Sequence, residues 1–115
     1  MDLPIVLDRS LFPAQAFFNA MSDWTFISTL EAFSNSIGAG FNDAVCEFPS
    51  EIEPGDESFE GVKFYILDEE LVISGADFLS ILEQACSIYL ARHPADRDRV
   101  SKLCRKIRAE LPADH

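Results

Sequence analysis

The sequence predicts an α+β domain, a small and mainly antiparallel sheet packed against helices, in the order α-α-β-β-β-α-α. Three observations predict it. Apolar residues recur at helical spacing in the first third of the chain and again from Phe78 onward. Between these stretches, Val62 to Ile73 holds two short runs rich in β-branched and aromatic residues on either side of a polar break, the pattern of a hairpin. Hydrophobic residues make up 48% of the 115 positions, ten of them Phe, which is enough for one core without disulfides or a metal. Residues 1–115 therefore read as a single domain.

Leu3-Pro4-Ile5-Val6-Leu7 is a short apolar run suited to an edge strand or an extended arm, with Pro4 weakening the strand reading. Ser10 is placed to cap a first helix that tolerates Pro13 in its opening turn and presents Phe17, Phe18 and Met21. Asp23 is placed to cap a second, with Phe26, Ile27, Leu30, Phe33 and Ile37 on its apolar face. Gly38 is expected just beyond its C-cap, and Gly40 keeps the chain turning. The Phe and Trp residues of this half are expected in the core.

Ala44 to Phe48 leans to strand and Pro49 ends it. Residues 49–60 form an acidic loop with Pro54-Gly55 as its turn; loops of this length tend to be functional or mobile. Val62 to Leu67 is the clearest strand, Asp68-Glu69-Glu70 a tight connection without an Asn-Gly signature, and Leu71-Val72-Ile73 the return. The strand at 44–48 is free to pair with either edge of that hairpin. Ser74 and Asp77 form a capping-box pattern before a helix whose apolar residues, Phe78 to Leu90, cover an arc of about 200°. So wide an arc means packing on two sides. His93-Pro94 breaks this helix, and isolated His93 reads as a helix-terminal residue. A last helix, 95–111, carries a narrow stripe of Val100, Leu103, Cys104, Ile107 and Leu111.

Charge divides the chain. From Asp43 to Phe78 there are eleven acids against one base, Lys63, which leaves −10 of the net charge of −11. From Arg92 to Arg108, seven bases oppose two acids. Those bases read as a solvated helix face, as ion-pair partners of the acidic loop, or as a partner contact. A sequence pI near 4.4 argues against nucleic acid or an anionic membrane as the main partner. With no basic, apolar leader and no run of about 20 apolar residues, the expected location is cytoplasmic. Cys46, Cys86 and Cys104 lack metal or disulfide spacing and read as reduced core thiols. There is no Gly-rich phosphate loop, His-x-x-x-His, Gly-x-Ser-x-Gly or calcium-loop pattern. No cofactor, metal or enzymatic activity is expected. What remains is an inhibitor of a basic active site, an adaptor or assembly protein, or a nucleic-acid-mimicking inhibitor.

The run Gly38-Ala39-Gly40-Phe41, then Cys46-Glu47-Phe48-Pro49, Phe59-Glu60-Gly61-Val62-Lys63-Phe64, Asp68-Glu69-Glu70, Ile73-Ser74 with Phe78, and Ala85-Cys86 and Tyr89 with Pro94 resembles the CdiI-type immunity proteins of bacterial contact-dependent growth inhibition systems. The resemblance covers roughly residues 36–95 and departs at Val45, where the family pattern often has a second Cys. It implies a cytosolic protein that binds the C-terminal nuclease domain of a cognate CdiA-type toxin tightly and prevents RNA cleavage. The matched residues are mainly structural, so the resemblance assigns no binding residues. Electrostatics does: a ribonuclease gathers cations around the scissile phosphate, and a negative plug fits such a site. On that argument the toxin-binding residues are Glu47, Glu51, Glu53, Asp56, Glu57 and Glu60 in the loop, and Asp68, Glu69 and Glu70 at the hairpin tip.

Overall fold

A computed structural model of the protein describes residues 7–41, 43–51, 55 and 59–111. The expected N-terminal strand or arm lies outside them except for its last residues, of which Leu7 donates its N–H to Gln15 Oε1 at 2.7 Å.

The helical half starts one turn earlier than Ser10 suggests. Asp8 caps a 3₁₀ turn, Arg9–Leu11, by accepting the Ser10 N–H at 2.9 Å and the Ser10 hydroxyl at 2.5 Å. These two bonds, the hydroxyl first, hold the Asp8 carboxyl below its usual value. Helix α1 (Phe12–Ala20) follows, with Pro13 in its first turn, where its missing N–H costs nothing. Asp23 does not cap the second helix. It opens a 3₁₀ turn, Asp23–Thr25, before α2 (Phe26–Phe33), and its carboxylate is taken by distant partners. Arg92 Nη1 donates to its two oxygens at 2.9 and 3.0 Å, and His93 Nε2 lies 2.8 Å from Oδ2.

The α2 helix ends at Phe33, short of Ile37. The Ser36 N–H returns to Phe33 O and the Ile37 N–H to Ala32 O, both at 2.9 Å, while Ser36 takes φ +57°. This is a Schellman stop with Ser36, not Gly38, in the left-handed position. Gly38 is required for another reason. A Cβ there would lie 2.0 Å from the Cys46 carbonyl oxygen. That close approach starts a strand the sequence did not suggest, β1 (Ala39–Phe41), so the order becomes α-α-β-β-β-β-α-α.

The sheet is antiparallel, ordered β1-β2-β3-β4, with β2 (Ala44–Glu47), β3 (Val62–Ile66) and β4 (Glu69–Ile73). Cys46 pairs with Phe64 and Phe64 with Leu71, so the 44–47 strand joins the β3 side of the hairpin. The turn of that hairpin is Leu67-Asp68, earlier than expected, and Glu69 and Glu70 belong to β4. Alternation sends Cys46, Val62, Phe64 and Ile73 into the core. α1 lies across this face and touches all four strands. Phe17 meets Phe64 at 5.5 Å and Phe41 at 5.3 Å, and Phe78 meets Phe33 at 5.5 Å, Phe48 at 5.9 Å and Phe64 at 6.1 Å.

Ser74 caps α3 (Gly75–Arg92), its hydroxyl accepting the Asp77 N–H at 3.0 Å. Buried residues from Phe78 to Tyr89 occupy two sides of this helix, as its wide apolar arc requires. Tyr89 stacks on Phe26 at 4.4 Å and under His93 at 4.6 Å, and donates its hydroxyl to Asp96 at 2.5 Å. Burial first, then the bond to Asp96 and its charge, push the Tyr89 hydroxyl up to about 12. A 3₁₀ turn at Pro94–Asp96 leads into α4 (Arg97–Glu110), which buries Val100 and Ile107. Two aromatics of the first half escape the core against expectation: Trp24 is 86% exposed and Phe12 42%.

Gly61 links the loop to β3 at φ +96°, and a Cβ there would sit 2.0 Å from the Ile73 carbonyl oxygen. Both the dihedral and the space demand glycine. Gly61→Ala should therefore cost about 2–4 kcal/mol. A shift of the urea midpoint at constant slope checks it, and a loss under about 0.5 kcal/mol would contradict the packing described.

Candidate functional site

The acidic residues named from sequence fall into distinct settings. Glu47 ends β2 opposite Lys63, on the sheet face turned away from the helices, and is half-buried. Glu51 closes a 3₁₀ turn, Pro49–Glu51, and points inward along the backbone. Its two oxygens accept the Gly38 N–H at 3.0 and 3.1 Å, and Oε1 also accepts the Phe48 N–H at 2.9 Å. This carboxylate ties the start of β1 to the end of β2, two segments 10 residues or more apart in sequence from Gly38 to Phe48. Glu53, Asp56 and Glu57 lie outside the described residues. Glu60 is exposed immediately before Gly61.

At the hairpin, Asp68 is exposed in the turn and Glu69 and Glu70 are exposed on β4. Neighbours in a strand point to opposite faces. Glu70 reaches diagonally to Lys63 Nζ at 3.2 Å on the outer face. Glu69 lies on the helix side, bordering a surface hollow of about 540 Å³ with Leu7, Asp8, Arg9, Phe12 and Gln15. Glu60 and Asp68 sit at opposite ends of β3. Five residues at about 3.4 Å each separate them by roughly 17 Å. Among the described acids, Glu60 and Asp68 thus stand at opposite ends of β3, while Glu47 and Glu70 both adjoin Lys63 on the outer face.

Sequence reasoning singled out Lys63 as the lone base of this region but not its environment. It faces Glu47 across the β2–β3 pair, meets Glu70 and lies 5.4 Å from the Phe59 ring centroid. Its charge is answered locally. With Val45, Tyr65 and Val72 it forms the outer sheet face; the period-two alternation around buried Val62 and Phe64 is the signal that could have found these positions.

Among the described residues, several bases of the C-terminal region meet side chains of the helical elements while staying largely exposed. Arg99 pairs with Glu31 at 3.1 Å, Lys106 Nζ donates to Asn35 Oδ1 at 3.1 Å, and Arg108 lies 3.8 Å from Glu83. With the Arg92–Asp23 pair, these contacts run to the α2 region and α3, and none reaches the acidic loop or hairpin among the described residues. Such exposed pairs each contribute about 0–1 kcal/mol, so they orient the basic face more than they stabilise the fold. Arg97, Lys102 and Arg105 have no ion-pair partner among the described residues.

The three thiols are free. Burial first, then the charges of Glu51 and Glu47, raises the Cys46 thiol well above its usual value. Cys86 and Cys104 face each other across α3 and α4 with 3.4 Å between sulfurs. Among the described residues no three of His, Cys, Asp and Glu converge on a metal site, and no helix is long and apolar enough to cross a membrane. The described surface carries exposed carboxylates at Glu60, Asp68, Glu69 and Glu70.

Residues 10–104 match the family model described as CDI immunity protein. No curated protein matches the chain.

The geometry separates Glu51 from the other named acids by role. Glu51→Ala should cost about 1–3 kcal/mol, because two amide N–H groups lose a charged acceptor. Glu60→Ala should stay within about 0.5 kcal/mol. Chemical denaturation of both variants checks this, and equal effects would contradict the tie.

Proposed function

We propose a mode of action that proceeds from one fact: the chain belongs to the CDI immunity protein family. Membership implies a toxin-neutralising immunity function. The finer reading is that the chain binds the C-terminal nuclease domain of its cognate contact-dependent growth inhibition toxin in the cytoplasm and blocks it stoichiometrically, without catalysis of its own.

The observation that supports this most is the placement of charge. Eleven acids against Lys63 occupy the stretch from Asp43 to Phe78, and Lys63 is answered by Glu70. Arg92, Arg99 and Arg108, meanwhile, are engaged with Asp23, Glu31 and Glu83. The sheet ends therefore present net negative charge on a scaffold that the helices hold from one side. A nuclease must hold a polyanion, so its working surface is cationic, and the two potentials are complementary. Rim carboxylates raise the association rate, while one or two desolvated pairs slow dissociation.

The contact residues on this reading are Glu47, Glu53, Asp56, Glu57 and Glu60, from the end of β2 through the acidic loop in sequence, and Asp68, Glu69 and Glu70 of the hairpin. Glu51 contributes by holding the base of the loop, since its oxygens already accept the Gly38 and Phe48 amides.

The test is charge reversal of Glu53, Asp56, Glu57 and Glu60 to Lys, and separately of Asp68 and Glu69 to Lys, with Glu51 left intact. Titration calorimetry against the cognate toxin's C-terminal domain should show at least one set losing about 100-fold in affinity, and that set should lose protection in toxin-exposed cells. The thermal midpoints should stay within about 3 °C of the parent, as surface changes dictate. If both variants bind as tightly as the parent, the interface lies on the helices.

A further inference from the structure

We propose that Leu67, at the tip of the β3–β4 hairpin, is the apolar anchor by which this chain seats itself in its toxin, entering a nonpolar pocket rimmed by basic side chains on the toxin domain. This rests on the reading that the chain neutralises a toxin by binding it.

Two observations meet at this residue. Leu67 is 79% exposed, whereas Phe12, Ile37 and Val72 are at 42%, 52% and 46%. Its backbone is also in the left-handed region, at φ +55°. That region is strained for a leucine and relaxed for glycine or asparagine, the residues a two-residue hairpin turn prefers. Trp24 is more exposed, at 86%, but it sits in a 3₁₀ turn with no positive φ. Among the described residues, Leu67 alone combines an unfavourable backbone with an unburied apolar side chain. Among the described residues, Leu67 does not pack against the hydrophobic core. A turn that served only to connect β3 with β4 would be better served by Asn or Gly. The side chain is therefore directed at something outside the molecule.

The surroundings define the chemistry of that partner. Asp68 and Glu69 follow Leu67 and are exposed. Glu69 borders the hollow that Leu7, Asp8, Arg9 and Phe12 also line. Behind the tip, the Lys63–Glu70 pair at 3.2 Å braces the two strands. A projecting leucine with a carboxylate rim and a braced stem fits a pocket that is apolar at its base and basic at its mouth. This is the division between desolvated anchor and polar rim that tight protein interfaces use. A phosphate backbone or an anionic lipid surface would meet Asp68 and Glu69 first and be repelled.

The experiment compares Leu67→Asn, Leu67→Gly and Leu67→Met in the full chain. Each is titrated by calorimetry against the cognate toxin's C-terminal domain and melted alone. Asn and Gly should leave the thermal midpoint unchanged or raise it by up to about 4 °C, because the turn relaxes. The same two variants should lose at least about 10-fold in affinity, chiefly through faster dissociation. Met should stay within about 3-fold of the parent. If Asn and Gly bind within about 2-fold of the parent while the charge-reversed variants weaken, the anchor is wrong and the electrostatic reading stands. If Asn and Gly lower the midpoint by more than about 5 °C, Leu67 serves the fold and the anchor is overturned. If the parent itself does not bind the domain, the proposed function and the anchor fall together.

Discussion

Burial of phenylalanine on a single face of the sheet is the constraint from which the rest of this structure follows. Phe17, Phe18, Phe26, Phe33, Phe48, Phe64 and Phe78 are each fully buried. Phe64 joins the layers, with ring contacts to Phe17 and Phe18 from α1 and to Phe78 from α3. Edge-to-face and tilted rings at 5–7 Å gain quadrupole attraction beyond the area they bury. A strand that commits Val62 and Phe64 inward must turn Lys63 and Tyr65 outward. The same alternation places Glu47 and Glu70 on the open face. Glu47, Lys63 and Glu70 are thus turned away from the helices, and their place on the outer face follows from the aromatic core.

The polarity of the molecule is completed by the helices. The α2 region and α3 supply Asp23, Glu31 and Glu83, and the bases at the C-terminal end of the chain lean on them. The Asp23 carboxylate binds both Arg92 and His93 at the end of α3, and the Phe26–Tyr89–His93 stack lies beneath it. This clasp spans 69 and 70 residues of sequence and joins the start of the second helix to the end of the third. Among the described residues, these bases form no ion pair with the carboxylates of the loop or hairpin.

Elements whose signal is local periodicity were legible. The α3 cap at Ser74, the two-sided burial of α3 and the α4 stripe all follow from residues within a few positions of each other. Features decided by distant partners or unusual dihedrals were not. Asp23 looks like a helix cap until Arg92 and His93 are brought to it. Gly38 looks like a helix stop until the Cys46 carbonyl approaches its Cα, while Ser36 takes the left-handed position that glycine usually signals. β1 is three residues long with a glycine at its centre, too short to show alternation. The hairpin turn was displaced because Leu67, a strand-like residue in sequence, occupies it at positive φ. The acids were legible as a count but not as a site: Glu51 is bound to backbone, Glu70 is paired, and Glu60 and Asp68 stand at opposite ends of β3.

The central claim is that the toxin is met by the sheet ends and not by the basic helix. Amide hydrogen exchange of the whole chain, with and without the cognate toxin's C-terminal domain, tests it most directly. The account predicts that exchange slows from Glu60 through Ile73, most at the hairpin tip, while α4 exchanges as in the free protein. Slowing confined to α2 and α4, with the hairpin unchanged, would contradict it.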